Sequence, residues 1–172
     1  MLSLLERKQF AQEAWAGDTR ALNKLWLDAT EDRLIPAGST LQLVESLHEG
    51  KTILLDTLAG STVTLPASTG KGAKYRFCIS TVPTSNSHIV KVQNSTDVMS
   101  GVIVAKADDA ASTLIGWSTA ASSDTVTLNR TTSGGTIKGE WIEVEDIAAG
   151  FWAIRGVIAA TGTEVTPFSA TV

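Results

Sequence analysis

The chain has 172 residues, of which 43% are apolar and 19% charged, and its formal net charge is -4. That length suits one ordinary domain or one domain with an arm, and the apolar share is enough to bury a core. The charge balance lacks the basic excess of a general nucleic-acid binder. No apolar run reaches the ~18 residues of a membrane span. The single cysteine, Cys78, excludes an internal disulfide framework and a cysteine-based zinc site.

In chain order, the first segment is charge-rich. Residues 1–35 hold eleven charged side chains, whereas residues 36–172 hold twenty-one. Ser and Thr run the other way, three against thirty-five. The N-terminus lacks the apolar region of a secretory signal, because Leu2, Leu4 and Leu5 are followed at once by Glu6, Arg7 and Lys8. Ser3 and Glu6 form a capping box that predicts a helix to about Ala16, stopped by Gly17. Asp18 then caps a second helix to about Asp28. Leu22, Leu25 and Trp26 recur at helical spacing, and Phe10, Ala14 and Trp15 form a weaker stripe. Neither helix is long enough to be stable alone in water. Each must lie on its own β body or on a neighbouring subunit. Two tryptophans so close together favour the neighbour, since Trp is enriched at interface hot spots. The expected interface residues are therefore Phe10, Trp15, Leu22, Leu25 and Trp26.

Residues 36–172 read as an all-β body, because Thr suits pleated strands and Ser suits turns. Segments 41–45 and 51–55 flank a hairpin-like loop at His48, Glu49 and Gly50. Further strands are expected at 61–65, 73–80, 87–93, 101–106, 112–119, 124–129, 140–145 and 151–159, with a tail near 163–168. Tyr75, Phe77 and Ile79 share one face, as do Val63 with Leu65 and Val126 with Leu128. Pro66 ends a strand, and Gly70 and Gly72 allow a sharp reversal. Tyr75 should have its hydroxyl at a sheet edge or hydrogen-bonded. The spacing predicts an antiparallel β-sandwich or barrel-like body carrying a short helical N-terminal arm. No long internal repeat is visible, which disfavours a propeller or β-helix.

Catalytic templates fit poorly. There are two histidines, His48 and His88, with no G-x-S-x-G elbow and no HExxH spacing. Gly70-Lys71-Gly72 contains the Gly-Lys pair of a phosphate loop. However, Gly72 stands where Ser or Thr should bind magnesium, and Leu65 stands where the first glycine belongs. Carboxylates cluster at Asp108 and Asp109, and at Glu140, Glu143, Glu145 and Asp146. On a strand, Trp141, Glu143 and Glu145 face one way while Ile142 and Val144 face inward. Such a face is a solvated surface, or else a place for a sugar ring or calcium. The expectation is a protein without enzymatic activity, cofactor or bound metal. The sequons Asn94-Ser95-Thr96 and Asn129-Arg130-Thr131 carry little meaning without a secretion signal.

Two strings carry a resemblance. The first is Gly50-Lys51-Thr52-Ile53, then Val63-Thr64-Leu65-Pro66-Ala67, then Gly70 and Gly72 followed by Tyr75-Arg76-Phe77. The second is Gly139-Glu140-Trp141-Ile142-Glu143-Val144, then Gly150-Phe151-Trp152-Ala153-Ile154 and Ala160-Thr161-Gly162-Thr163. Together they resemble a module of virion structural proteins of tailed bacteriophages, and by size the capsid decoration (cement) proteins. The resemblance covers most of the β body and does not extend to the arm. It implies a protein made in the host cytoplasm and displayed on the capsid surface. Its partners would be the major capsid protein and itself, as a homotrimer, with no nucleic acid and no membrane. The alternative is a receptor- or carbohydrate-binding module of a tail fibre, using the Trp141 face or the surroundings of Trp117.

Overall fold

The computed structural model describes residues 33–172. The predicted helices and the anchors Phe10, Trp15, Leu22, Leu25 and Trp26 lie outside the described residues. Leu34 and Ile35, expected at the end of the arm, instead belong to a strand. Ile35 is drawn there because it pairs with Ile53 and packs on the core.

The all-β sandwich expected from the turn spacing is what forms. One sheet has seven strands, in the spatial order β1 (Leu34–Pro36), β3 (Thr52–Leu55), β5 (Lys74–Ile79), β10 (Trp141–Ala148), β11 (Phe151–Ala159), β7 (Val98–Lys106) and β8 (Leu114–Ser118). The other has five, in the order β12 (Phe168–Ser169), β9 (Thr125–Leu128), β6 (His88–Lys91), β4 (Thr62–Thr64) and β2 (Thr40–Gln42). Both sheets turn alternate side chains into one core. Tyr75, Phe77, Ile79, Ile142, Val144, Trp152 and Ile154 come from the larger sheet, and Val63, Val90, Val126, Leu128 and Phe168 from the smaller. No helix among the described residues is long and apolar enough to cross a membrane.

Strand direction departs from the antiparallel expectation, and both sheets are mixed. From β1 to β6 the chain alternates between the sheets. As a result β1, β3 and β5 run parallel side by side, as do β2, β4 and β6. This stretch winds like three turns of a flattened coil, without the sequence repeat that usually marks such winding. The later strands form true hairpins, β7 with β8 and β10 with β11. The β10–β11 hairpin lies in the middle of the larger sheet, antiparallel to β5 on one side and parallel to β7 on the other.

The hairpin expected across His48, Glu49 and Gly50 does not form. β2 and β3 lie in different sheets, joined by the one-turn helix α1 (Glu45–His48). The Val44 N–H donates to His48 Nδ1 at 2.8 Å, which closes the turn, and Gly50 takes a φ of 71° that favours glycine. Leu43, Ile53 and Leu55 point inward, but alternation says which side of a strand is apolar and not which sheet the strand joins.

Candidate interaction surface

Several acidic residues hold loops together. Asp146, at the inner side of β10, is buried. Its carboxylate accepts the N–H groups of Thr69, Gly70 and Lys71 and the Thr69 hydroxyl, at 2.7–3.3 Å. Burial pushes this carboxyl up, but the four donors outweigh it and hold it below the ordinary value. The glycine-rich turn therefore does cradle an anion through its amides, and that anion is the protein's own side chain. Glu140 does the same for the turn before β10, accepting the N–H groups of Gly135, Thr136 and Ile137 at 2.6–3.0 Å. Asp124 is also buried, yet the amides of Thr171 and Val172 and the Thr125 hydroxyl lower its carboxyl. Asp108 and Asp109 are exposed and lowered by their bonds to Thr161 and Thr113 respectively.

His88, on β6, is wholly buried. Its Nδ1 accepts the Ser61 N–H at 2.9 Å and its Nε2 lies 2.8 Å from the Thr81 carbonyl, so the Nε2–H tautomer satisfies both ends. Burial lowers its pKa below the ordinary 6.5. A ring with both nitrogens engaged by backbone has none left for proton transfer. Both sequon asparagines cap their own turns: Asn94 Oδ1 accepts from Thr96, and Asn129 Oδ1 from Thr131. Among the described residues, no three His, Cys, Asp or Glu side chains converge on a common centre.

What remains is surface, and the two sheets present very different ones. The outward face of the smaller sheet is lined by Thr40, Gln42, Thr62, Thr64, Lys91 and Thr127, with one apolar member, Ile89. Across the outward face of the larger sheet runs a row in register, one residue per strand: Pro36, Leu54, Cys78, Trp141, Val157, Val104 and Gly116. Val157 is 51% exposed and Val104 39%. The adjoining row reads Leu34, Thr52, Arg76, Glu143, Arg155, Val102 and Ser118.

Both acids on this face are paired with bases. Arg155 Nε and Nη2 both donate to Glu143 Oε1, and Nη2 lies 3.5 Å from Glu145. Lys74 Nζ lies 3.1 Å from Glu145. The Arg76 guanidinium sits 4.4 Å from the centre of the Trp141 ring, within cation–π range. Above Trp141, a shallow groove of about 320 Å³ runs between Val157, Ile137 and the stem of Lys106.

The expected outward set of Trp141, Glu143 and Glu145 is thus found. Its chemistry, however, is already occupied: the ring by Arg76 and the acids by Arg155 and Lys74. Trp117 is partly buried against the core. A second hollow, about 420 Å³, lies elsewhere, between exposed Phe151 and the hydroxyl residues Thr96, Ser100 and Thr119. The apolar row was not read from the sequence, because it appears only once seven strands are set in register. The chain matches no family model, no curated protein and no solved structure.

Proposed function

We propose that this protein is a capsid decoration (cement) protein without catalytic activity, which binds the outer surface of a mature tailed-bacteriophage head through its N-terminal arm and β body. One observation carries the reading. The buried acids and His88 are tied into the scaffold, whereas the larger sheet offers an apolar row across its outer face, flanked by the Arg155 and Lys74 ion pairs and by Arg76 on the Trp141 ring. Such a surface suits protein–protein docking better than chemistry on a small molecule. The strings at residues 50–77 and 139–163 support the virion assignment.

A cement protein works by differential affinity. It binds the expanded lattice better than the immature one and adds that binding free energy to the shell. Phe10, Trp15, Leu22, Leu25 and Trp26 are the arm's anchors, each contributing about 1.5–3 kcal/mol if fully buried. The major capsid protein is the partner, and three-fold self-association sets the valency.

Purified particles should carry the protein in fixed ratio to the major capsid subunit, and its absence from intact particles refutes the reading. Deleting residues 1–30 should abolish particle binding and leave the circular dichroism of the β body intact. A truncated chain that still saturates particles removes the arm from the mechanism.

A second reading, a carbohydrate-binding module of a tail fibre, draws on the hollow beside Phe151, where an aromatic ring meets three hydroxyl residues. Titration with host polysaccharide separates the two. Saturable binding lost in Phe151→Ala favours the module, and no heat at millimolar sugar removes it.

A further inference from the structure

Among the described residues four strands end the two sheets, and three of them are poor templates for another chain. β1 and β2 have three residues each, β1 carrying Pro36, and β12 has two. β8 differs. It has five residues, Leu114-Ile115-Gly116-Trp117-Ser118, with no charge and no proline, and among the described residues it is the last strand of its sheet. Edges of this kind are normally blunted by lysine, proline or a bulge.

The hydrogen-bond phase of β8 is fixed by its flanks. The Ala107 N–H donates to Thr113 O, and the Thr119 N–H donates to Gly101 O, each across a directly opposed pair. Alternation then turns the backbone groups of Ile115 and Trp117 toward β7, and those of Leu114, Gly116 and Ser118 away from it. The outward set is symmetric about Gly116.

We propose that a second copy of this chain docks on β8, antiparallel, about a two-fold axis through Gly116. In that register Gly116 faces its mate and Leu114 faces Ser118 of the other copy. All three outward N–H groups and all three outward carbonyls of each strand then find partners, giving six backbone hydrogen bonds. On the inner face, Trp117 of each copy meets Ile115 of the other as a close, non-hydrogen-bonded pair, the favourable aromatic–β-branched combination. Both side chains are only partly buried in the single protomer. On the outer face, Leu114, 74% exposed, leans over the space left by glycine, and the apolar row runs on across fourteen strands.

The protomer does not itself require glycine at this position. A Cβ on Gly116 would meet nothing nearer than the Ile103 carbonyl at 3.6 Å, an ordinary contact, and Gly116 has no positive φ. At Gly101, by contrast, a Cβ would fall 1.8 Å from the Ile154 carbonyl.

Sedimentation velocity of the full chain over a dilution series tests the proposal. An even number of chains is expected: two, or six if three-fold association is also present. One or three chains throughout overturns it. Gly116→Lys places like charges opposite each other only in the paired state, so the mass should halve while the circular dichroism is unchanged. Gly116→Glu should do the same, and mixing the two variants should restore the paired mass. An unchanged mass in either variant overturns the proposal. Should both fail to fold, Ser118→Pro removes an outward N–H and should halve the mass in their place. In the wild type, the amides of Leu114, Gly116 and Ser118 should exchange slowly when concentrated and fast on dilution; fast exchange at every concentration overturns it.

Discussion

The two sheets of this sandwich are alike on the inside and opposite on the outside. Inward, both supply tightly buried Val, Ile and Leu side chains. Outward, the smaller sheet shows threonines, and the larger shows valines, a tryptophan and ion pairs that satisfy each other. The core therefore explains stability and says little about purpose. The difference between the outer faces is the part that stability does not require, and the proposed docking role rests on it.

Breaking that difference should give the largest effect. Val104→Lys with Val157→Glu, both on the apolar row, should weaken particle binding by ten- to a hundred-fold and leave the unfolding midpoint nearly unchanged. Burial of two such side chains is worth about that much, and exposed substitutions rarely shift stability by more than about 0.5 kcal/mol. Titration onto stripped particles measures it. The control on the other sheet, Thr64→Lys, should leave binding unaltered.

On stability, as distinct from binding, the largest effect belongs to the cradle under the larger sheet. Asp146→Ala leaves three loop amides and a hydroxyl without their acceptor and should cost about 3 kcal/mol in urea unfolding. Because the folded carboxyl is held low, its contribution is present above the unfolded value of 3.8 and is lost as pH falls below that.

The sheets also differ in how they treat a buried polar side chain. On the smaller sheet, His88 has both nitrogens engaged, and His88→Leu should cost about 2 kcal/mol by stranding the Ser61 N–H and the Thr81 carbonyl. Its folded pKa is depressed, so its contribution is complete above 6.5 and declines as pH falls through the folded value. The unfolding midpoint should therefore start to drop below about pH 6.5, ahead of the carboxylates, and His88→Leu should lack that first drop.

On the larger sheet, Tyr75 is the opposite case. β5 is an interior strand, so the ring sits in the core beside Trp152, and its hydroxyl has no hydrogen-bond partner among the described residues. This overturns the expectation of an edge or bonded hydroxyl. Burial pushes its pKa up to about 12. Tyr75→Phe, the smallest effect, should be neutral or stabilise by up to about 1 kcal/mol in thermal unfolding.

Legibility from sequence followed the range of the interactions. The faces of β5 and β10 could be read because period-two alternation is local: Tyr75, Phe77 and Ile79 inward, Glu143 and Glu145 outward. The Glu140 cradle was within reach, since its donors stand only three to five residues upstream. The Asp146 cradle was not, because its donors lie 75–77 residues away and nothing local ties an acid to a distant glycine turn. Parallel winding was hidden for a related reason, as alternation is the same whichever way the neighbouring strand runs. The apolar row needed all seven partners at once, and the arm predicted to be helical lies outside the described residues.

The central place of β10 and β11 has a consequence for biosynthesis. A ribosome delivers β5 and β7 long before the hairpin that belongs between them. Until residue 159 emerges, β5 and β7 lack the two strands that join them in the finished sheet. Formation of the body must then be a late, concerted closure, slow because its decisive contacts join remote parts of the chain. Chains that stop before that hairpin should yield chaperone-bound or aggregated material rather than a smaller stable fold.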